Sequence, residues 1–300
     1  MRNFIENPLT MKRVLIAGAT GYLGHFTAIA FKNAGYYTKL LVRNPQKLKT
    51  YPVYANEVVQ AEITQPETLI DICAGIDIVF TSVGITRQKD GLSYHDVDFQ
   101  GNMNLLEEAK KAGVSMFIYI SVFNGQAMQD LAICREKERF VRELQSSGLP
   151  YRVIRPTGYF SDMNDYYIMA KKGRVYIFGS GNAHINPISG KDLAAFCLTA
   201  IEKPETAPEV GGPKAYTHNE IATLAFQSLN KPAKITHIPA WLCKVVIFLM
   251  RKLTSSKTYG PFEFVATMLT KEMVAPFYGS DDLLEYFKSL KSTGKSSPTK

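Results

Sequence analysis

Residues 14–26 read VLIAGATGYLGHF, and they constrain the fold more than any other part of the chain. Four apolar residues in a row, 14–17, have the pattern of a strand buried on both faces. Gly18, Gly21 and Gly24 follow at intervals of three, and a helical pattern begins over 22–34. A strand, a tight turn and a helix in direct succession leave the first peptide N–H groups of the helix without internal partners. Positions lacking a side chain let an anionic oxygen come close to that backbone. The competing reading is a flexible turn with no ligand, and the remainder of the chain has to decide between them.

The same alternation continues. Strands are predicted at 37–42, 58–60, 76–82, 115–121 and 151–154. Helices are predicted at 66–73, 96–112 and 131–146, with Gly35 and Gly113 as natural helix stops. Regular alternation predicts an α/β fold, a doubly wound parallel sheet with helices on both faces and right-handed crossovers. After residue 156 the rhythm changes. Ser189 with Asp192, and Thr217 with Glu220, fit the capping box, and helical patterns cover 239–253 and 261–276. The expected organisation is an N-terminal extension (1–10), a nucleotide-binding domain (11–205), a small, mostly helical substrate lobe (206–287) and a flexible Ser/Lys-rich tail (288–300).

Composition narrows the function classes. With 300 residues and 46% apolar content, the chain can bury a sizeable core. Lys and Arg number 35 against 27 acids, a net charge of +8, but no basic block singles out nucleic acid as a partner. The four cysteines form no CxxC pair and do not cluster with histidine, so neither a metal site nor a disulfide framework is expected. A reducing, cytoplasmic setting fits that usage. The N-terminus lacks a signal-type apolar stretch, and the strongest apolar run, 245–250, is too short to span a bilayer. Residues 241–253, WLCKVVIFLMRKL, are apolar around much of a helix and interrupted by Lys244, Arg251 and Lys252. They fit a helix lying on a membrane surface, a buried helix or a subunit interface. Oligomeric state is not readable.

In its strand–turn–helix context, the glycine pattern points to a dinucleotide diphosphate, with Gly18, Thr20, Gly21, Tyr22, Leu23 and Gly24 as candidate contacts. The end of the second strand discriminates between cofactors. An NAD site usually carries Asp or Glu there, whereas this chain has Arg43 in LLVRNP. A guanidinium suits a 2′-phosphate, so NADP is expected ahead of NAD, which stays possible. Glu62, after the third strand, is a candidate neighbour of the adenine. Ser82, Val83 and Gly84 would pass beside the middle of the cofactor.

Taken together, GATGYLG (18–24), LLVRNP (40–45), DIVFTSVG (77–84), VDFQGNMNLLEEAKKAGV (97–114), FIYISVF (117–123) and SGLPYRVIRPTGYFSDM (147–163) resemble the atypical short-chain dehydrogenase/reductase superfamily, in particular its NmrA-like NAD(P)-binding branch. The resemblance covers about residues 11–285. It implies a Rossmann-type core and a nicotinamide dinucleotide. Reductases of this kind use Ser, Tyr and Lys, the last two as Y-x-x-x-K. Here Lys137 aligns with the lysine and Ser121 with the serine, but Ile133 occupies the tyrosine position and carries no transferable proton. Tyr159 is the candidate replacement donor, ahead of Tyr94 and His95, and Cys134 is a weak one. Pro156, Thr157 and Gly158 would meet the nicotinamide end mainly through backbone. Met163, Tyr166, Trp241 and Phe262 are candidate substrate-lobe lining. The implied function is an NADP(H)-dependent reductase of a small hydrophobic carbonyl or enone. The alternative is a non-catalytic NAD(P)-binding regulator or assembly factor.

Overall fold

The computed structural model describes residues 11–50, 55–85 and 91–292. The expected extension (1–10) and most of the expected tail (293–300) lie outside the described residues. Apolar strands with short polar connections set the architecture: β1 (Arg13–Ala17), α1 (Tyr22–Asn33), β2 (Tyr37–Val42), β3 (Glu57–Gln60), β4 (Ile78–Thr81), α2 (Asn102–Ala112), β5 (Met116–Ile120), α3 (Ala132–Ser146) and β6 (Tyr151–Pro156). Further on come α4 (Asn164–Lys171), β7 (Val175–Phe178), β8 (His184–Ile185), α5 (Gly190–Glu202) and β9 (Glu209–Val210). The chain ends in β10 (Tyr216–Thr217), α6 (His218–Ser228), β11 (Ile235–Ile238), α7 (Ala240–Leu253), α8 (Ser256–Met268) and α9 (Leu283–Ser292).

The main sheet has seven strands in the order β3-β2-β1-β4-β5-β6-β9, all parallel. This is the expected doubly wound arrangement. Strand order reverses between β1 and β4, where a crevice forms at the C-terminal ends of the strands. Alternate residues of β1 serve opposite faces. Val14 and Ile16 join α1 and α5, whereas Leu15 and Ala17 join α2 and α3. Gly35 and Gly113 lie in the left-handed region, at φ +84° and +64°, and end α1 and α2 as the sequence predicts. Ser189 and Thr217 accept from the amides of Asp192 and Glu220, as their spacing predicts.

A third apolar cluster forms the lobe. Phe160, Met163, Tyr166 and Phe226 meet Phe287 of α9 and Ile133 and Cys134 from the start of α3. The lobe also has parallel strands β7 and β11, which sequence periodicity does not reveal. β7 alternates over only four residues and β11 does not alternate, and the two find each other only after a long excursion. β9 lies past residue 205 yet completes the main sheet beside β6, so the chain crosses between sheet and lobe more than once. Two expected helices are corrected. Residues 66–73 form only a 3₁₀ turn, Pro66–Leu69, after which Ile70 leaves helical geometry at φ −53°, ψ 125° and the chain continues in turns. The helix expected at 261–276 runs from 256 to 268 with Ser255 as N-cap, and Pro261 sits inside it rather than at its start.

Candidate functional site

The site is assembled at the strand-order reversal. Gly18 adopts φ +89°, and a Cβ there would come within 2.9 Å of Ser82 Oγ. Gly21 donates its N–H to Gly18 O at 2.8 Å, closing the turn. A Cβ on Gly24 would lie 2.1 Å from Gly18 O, so helix and turn touch backbone to backbone. No side chain caps α1, and its first turn carries no acid. An uncapped helix start over a bare turn fits a diphosphate, because anionic oxygens satisfy the amides left open there. Leu23 is buried, leaving only its backbone for such contact. The Tyr22 hydroxyl accepts from Gly190 N at 3.0 Å, and its ring lies 5.9 Å from that of Tyr159. Tyr22 therefore ties α1 to the start of α5. Thr20 is half-buried in the same turn.

Arg43 follows β2 and Glu62 follows β3, and adjacent parallel strands bring them together: Arg43 Nη1 lies 3.5 Å from Glu62 Oε1. The guanidinium is about half exposed, so it can meet a phosphate while Glu62 restrains it.

At the opposite end of the crevice, Ser82, Val83 and Gly84 leave β4 and run over Asp98. A Cβ on Gly84 would lie 2.5 Å from Asp98 Oδ1 and 2.8 Å from Lys137 Nζ. Asp98 is fully buried, and Lys137 Nζ is 2.9 Å from its Oδ1 with only 12% of the lysine side chain exposed. Asp98 Oδ2 accepts from Ile85 N at 3.2 Å, and Lys137 Nζ lies 3.5 Å from the Tyr119 hydroxyl. Burial pushes the Asp98 carboxyl up, and the Lys137 ammonium pulls it back. Burial also disfavours the ammonium, but Asp98, then Tyr119, more than offset it and hold Lys137 charged. Asp98 belongs to a π-helical turn, His95–Gly101, directly before α2. Asn102 then braces β4, accepting from Thr81 Oγ1 at 2.9 Å and donating to Val83 O at 3.3 Å. Sequence reasoning missed Asp98, Asn102 and Tyr119. The available signal was an acid and an amide in a helix whose neighbours Val97, Phe99 and Leu105 are core residues.

The remaining candidates fall into place unequally. Ser121 Oγ donates to Glu138 Oε1 at 3.1 Å, within the buried Arg155–Glu138 pair. Tyr159 donates its amide to Asp162 at 2.9 Å, and burial, then Asp162, push its phenol up, while Lys137 acts in the opposite direction. Backbone of 156–158 is largely committed: Phe123 donates to Pro156 O and Ile188 to Gly158 O, both at 2.9 Å, and Thr157 N donates to Val210 O at 3.0 Å. Ile133 is buried in the lobe core. Burial pushes the Cys134 thiol up to about 12, which removes it as an acid near neutral pH. Tyr94 is buried, and His95 pairs with Glu136 at 3.1 Å. Of the expected substrate lining, Met163 and Tyr166 are core, Phe262 packs edge-on against Phe178, and Trp241 is 66% exposed. Among the described residues, no group of three His, Cys, Asp or Glu could hold a metal, and no helix is long and apolar enough to cross a membrane.

Comparison with known proteins agrees with this fold and with NAD(P)H binding. A family model described as NAD(P)H-binding matches residues 18–204. The photosystem II assembly factor Ycf39 of Trieres chinensis is 28% identical over 84% of this chain and 77% of its own length. The chloroplastic divinyl chlorophyllide a 8-vinyl-reductase of Zea mays is 26% identical over 92% of this chain and 73% of its own length. Among solved structures, an NADPH-dependent quinone oxidoreductase of Escherichia coli in complex with NADPH superimposes with a TM-score of 0.67 at 17% identity, covering 93% of this chain and 99% of that one. That likeness concerns the fold.

Proposed function

The chain belongs to the NAD(P)H-binding family of atypical short-chain dehydrogenase/reductase proteins, and from that premise we propose that it is an NADP(H)-dependent reductase of a small hydrophobic carbonyl or enone. The observation that carries this reading is the Lys137–Asp98 pair beneath Gly84. An ammonium has three donors. Asp98 and the Tyr119 hydroxyl take two, and a third is left for a ribose hydroxyl or a substrate oxygen. When bound, a nicotinamide dinucleotide supplies the hydride. Lys137 then steadies the negative charge that develops on the substrate oxygen, and the charge on Lys137 is itself fixed by Asp98. Gly18, Thr20, Gly21, Tyr22, Leu23 and Gly24 hold the diphosphate, and Arg43 with Glu62 selects the adenosine end. Tyr159 is the phenol best placed to return a proton. Residues 11–205, completed by β9, form most of the cofactor-binding unit, and 206–287 join α4 and β7 in the lobe that selects substrate.

One observation favours a second reading, a non-catalytic NAD(P)-binding regulator of NmrA-like type. Ile133 stands where the usual proton donor would be, and its side chain is sealed in apolar core. A relative described as an assembly factor is compatible with that reading. One experiment separates the two. Purified protein is titrated with NADPH and then assayed for NADPH oxidation against quinones, enones and vinyl-substituted conjugated rings. Turnover that Lys137→Ala removes supports the reductase. Stoichiometric binding without turnover across the panel supports the regulator.

A further inference from the structure

Helix α7 departs from the rule that an apolar helix face is covered. Of its fourteen residues only Cys243 is buried. Cys243, Ile247 and Met250 share one line and turn toward the protein, whereas Trp241, Leu242, Val245, Phe248, Leu249 and Leu253 turn outward, Phe248 being 56% and Leu253 80% exposed. At 3.6 residues per turn the outward set covers roughly 140° of the circumference. A contiguous exposed apolar surface of this kind marks an interaction site.

Charge identifies the occupant. Residues 231–257 contain Lys231, Lys234, Lys244, Arg251, Lys252 and Lys257 and no acid at all. Arg251 pairs with Glu263 of α8, and Lys252 Nζ lies 4.6 Å over the Phe248 ring, its stem lying along the apolar face. A second copy of this face would bring like charges together. An anionic lipid surface instead supplies both an apolar phase for the outward side chains and a negative layer for the basic flank.

We infer that α7 is an interfacial anchor that docks this protein on anionic bilayers. The neighbouring geometry gives the anchor a use. α8 links α7 to the segment leading into the Asp98 turn: Lys257 Nζ donates to Gly91 O, and a Cβ on Gly260 would sit 3.0 Å from the Tyr94 ring. Docking therefore sets that side of the crevice at the lipid boundary, where hydrophobic molecules concentrate. The anchor itself does not depend on the reductase reading.

The test uses the chain's single tryptophan, Trp241, as a reporter inside the anchor. Full-length protein is mixed with vesicles of phosphatidylcholine alone or with a third phosphatidylglycerol, then followed by tryptophan emission and co-sedimentation. The expected result is a blue shift and sedimentation with anionic vesicles only. Binding should weaken about fivefold for each of Lys244→Gln and Lys252→Gln and fall at least tenfold in Val245→Asp/Phe248→Asp. Unchanged NADPH binding by the aspartate variant shows that it is folded. Equal binding to neutral vesicles, or none to either, overturns the inference. So does concentration-dependent dimerisation abolished by Val245→Asp/Phe248→Asp, which would assign the face to a second copy.

Discussion

Helix α3 carries two acid–base pairs on consecutive residues, and they are built for different purposes. Glu138 meets Arg155 of β6 through two parallel hydrogen bonds, Nη1 to Oε1 at 2.5 Å and Nη2 to Oε2 at 2.8 Å. Both side chains are nearly inaccessible, and Ser121 and the Val122 carbonyl complete the set. Lys137 meets Asp98 through a single contact, under a glycine, with 12% of the lysine side chain exposed. The first pair is closed on itself and ties α3 to β6 and the end of β5. The second is closed at the acid and open at the base. Fully satisfied charge suits a scaffold role, and charge with a donor to spare is what the cofactor role proposed for Lys137 requires.

That contrast is broken most forcefully at Glu138. Glu138→Ala strands a guanidinium inside the protein, and breaking a buried pair from one side costs about 3–5 kcal/mol. Urea unfolding should show the loss, while the folded fraction keeps its NADPH affinity. A variant that unfolds normally but no longer binds cofactor would mean that the closed pair serves the site as well.

Lys137→Met should act the other way, with a smaller effect on stability and a larger one on function. Charge-assisted hydrogen bonds contribute about 1.5–3 kcal/mol, so kcat/KM should fall about 10- to 100-fold and cofactor affinity several-fold. The variant also isolates the buried Asp98. Its carboxyl, already raised by burial, loses the ammonium that pulls it back. A carboxyl whose folded pKa lies above its unfolded value of about 3.9 contributes stability below that value and loses it as pH rises through the folded pKa. Lys137→Met should therefore unfold more easily as pH rises above about 4, and Asp98→Asn in the same chain should flatten that slope without restoring kcat/KM. A flat profile in Lys137→Met would show that Asp98 has another partner.

These two pairs also show where sequence reasoning reaches and where it stops. The turn at 18–24 was legible because glycine spacing, the apolar run before it and the helical period after it are all local. Lys137 was legible only through family resemblance. Asp98 and Arg155 were not, because their partners reach them only once β4, β5 and β6 lie side by side. The same reason hides the pairing of β7 with β11. The start of α8 lies earlier than the expected 261, because the helix begins after Ser255 and carries Pro261 inside it. The exposure of α7 was open for a related reason: periodicity shows that a helix has an apolar face, but tertiary structure decides whether anything covers it.

The open end of the site can be sharpened at its far side. Arg43→Ala removes one charge-assisted contact, about 1.5 kcal/mol or roughly tenfold in affinity. The loss should appear for NADPH and be absent for NADH, so the preference disappears by titration. Glu62→Gln should strengthen NADPH binding slightly, because the restraint on Arg43 loses its charge. Equal affinity of the parent protein for the two cofactors would remove the assigned role of Arg43.

The smallest effect is expected in the lobe, away from both pairs. His218 starts α6, its Nδ1 lies 2.8 Å from the Tyr166 hydroxyl, and the two rings stack. Burial lowers its pKa, and the Met268 backbone and Glu272 only partly oppose that. A histidine whose folded pKa lies below the unfolded value of about 6.5 contributes stability above that pH and loses it as pH falls, because the unfolded chain takes up the proton more readily. Melting temperature should therefore drop between pH 7 and pH 5, and less so in His218→Asn. If the two profiles run parallel, the acid sensitivity lies outside the lobe core, and His25 of α1, whose pKa burial also lowers, becomes the next place to look.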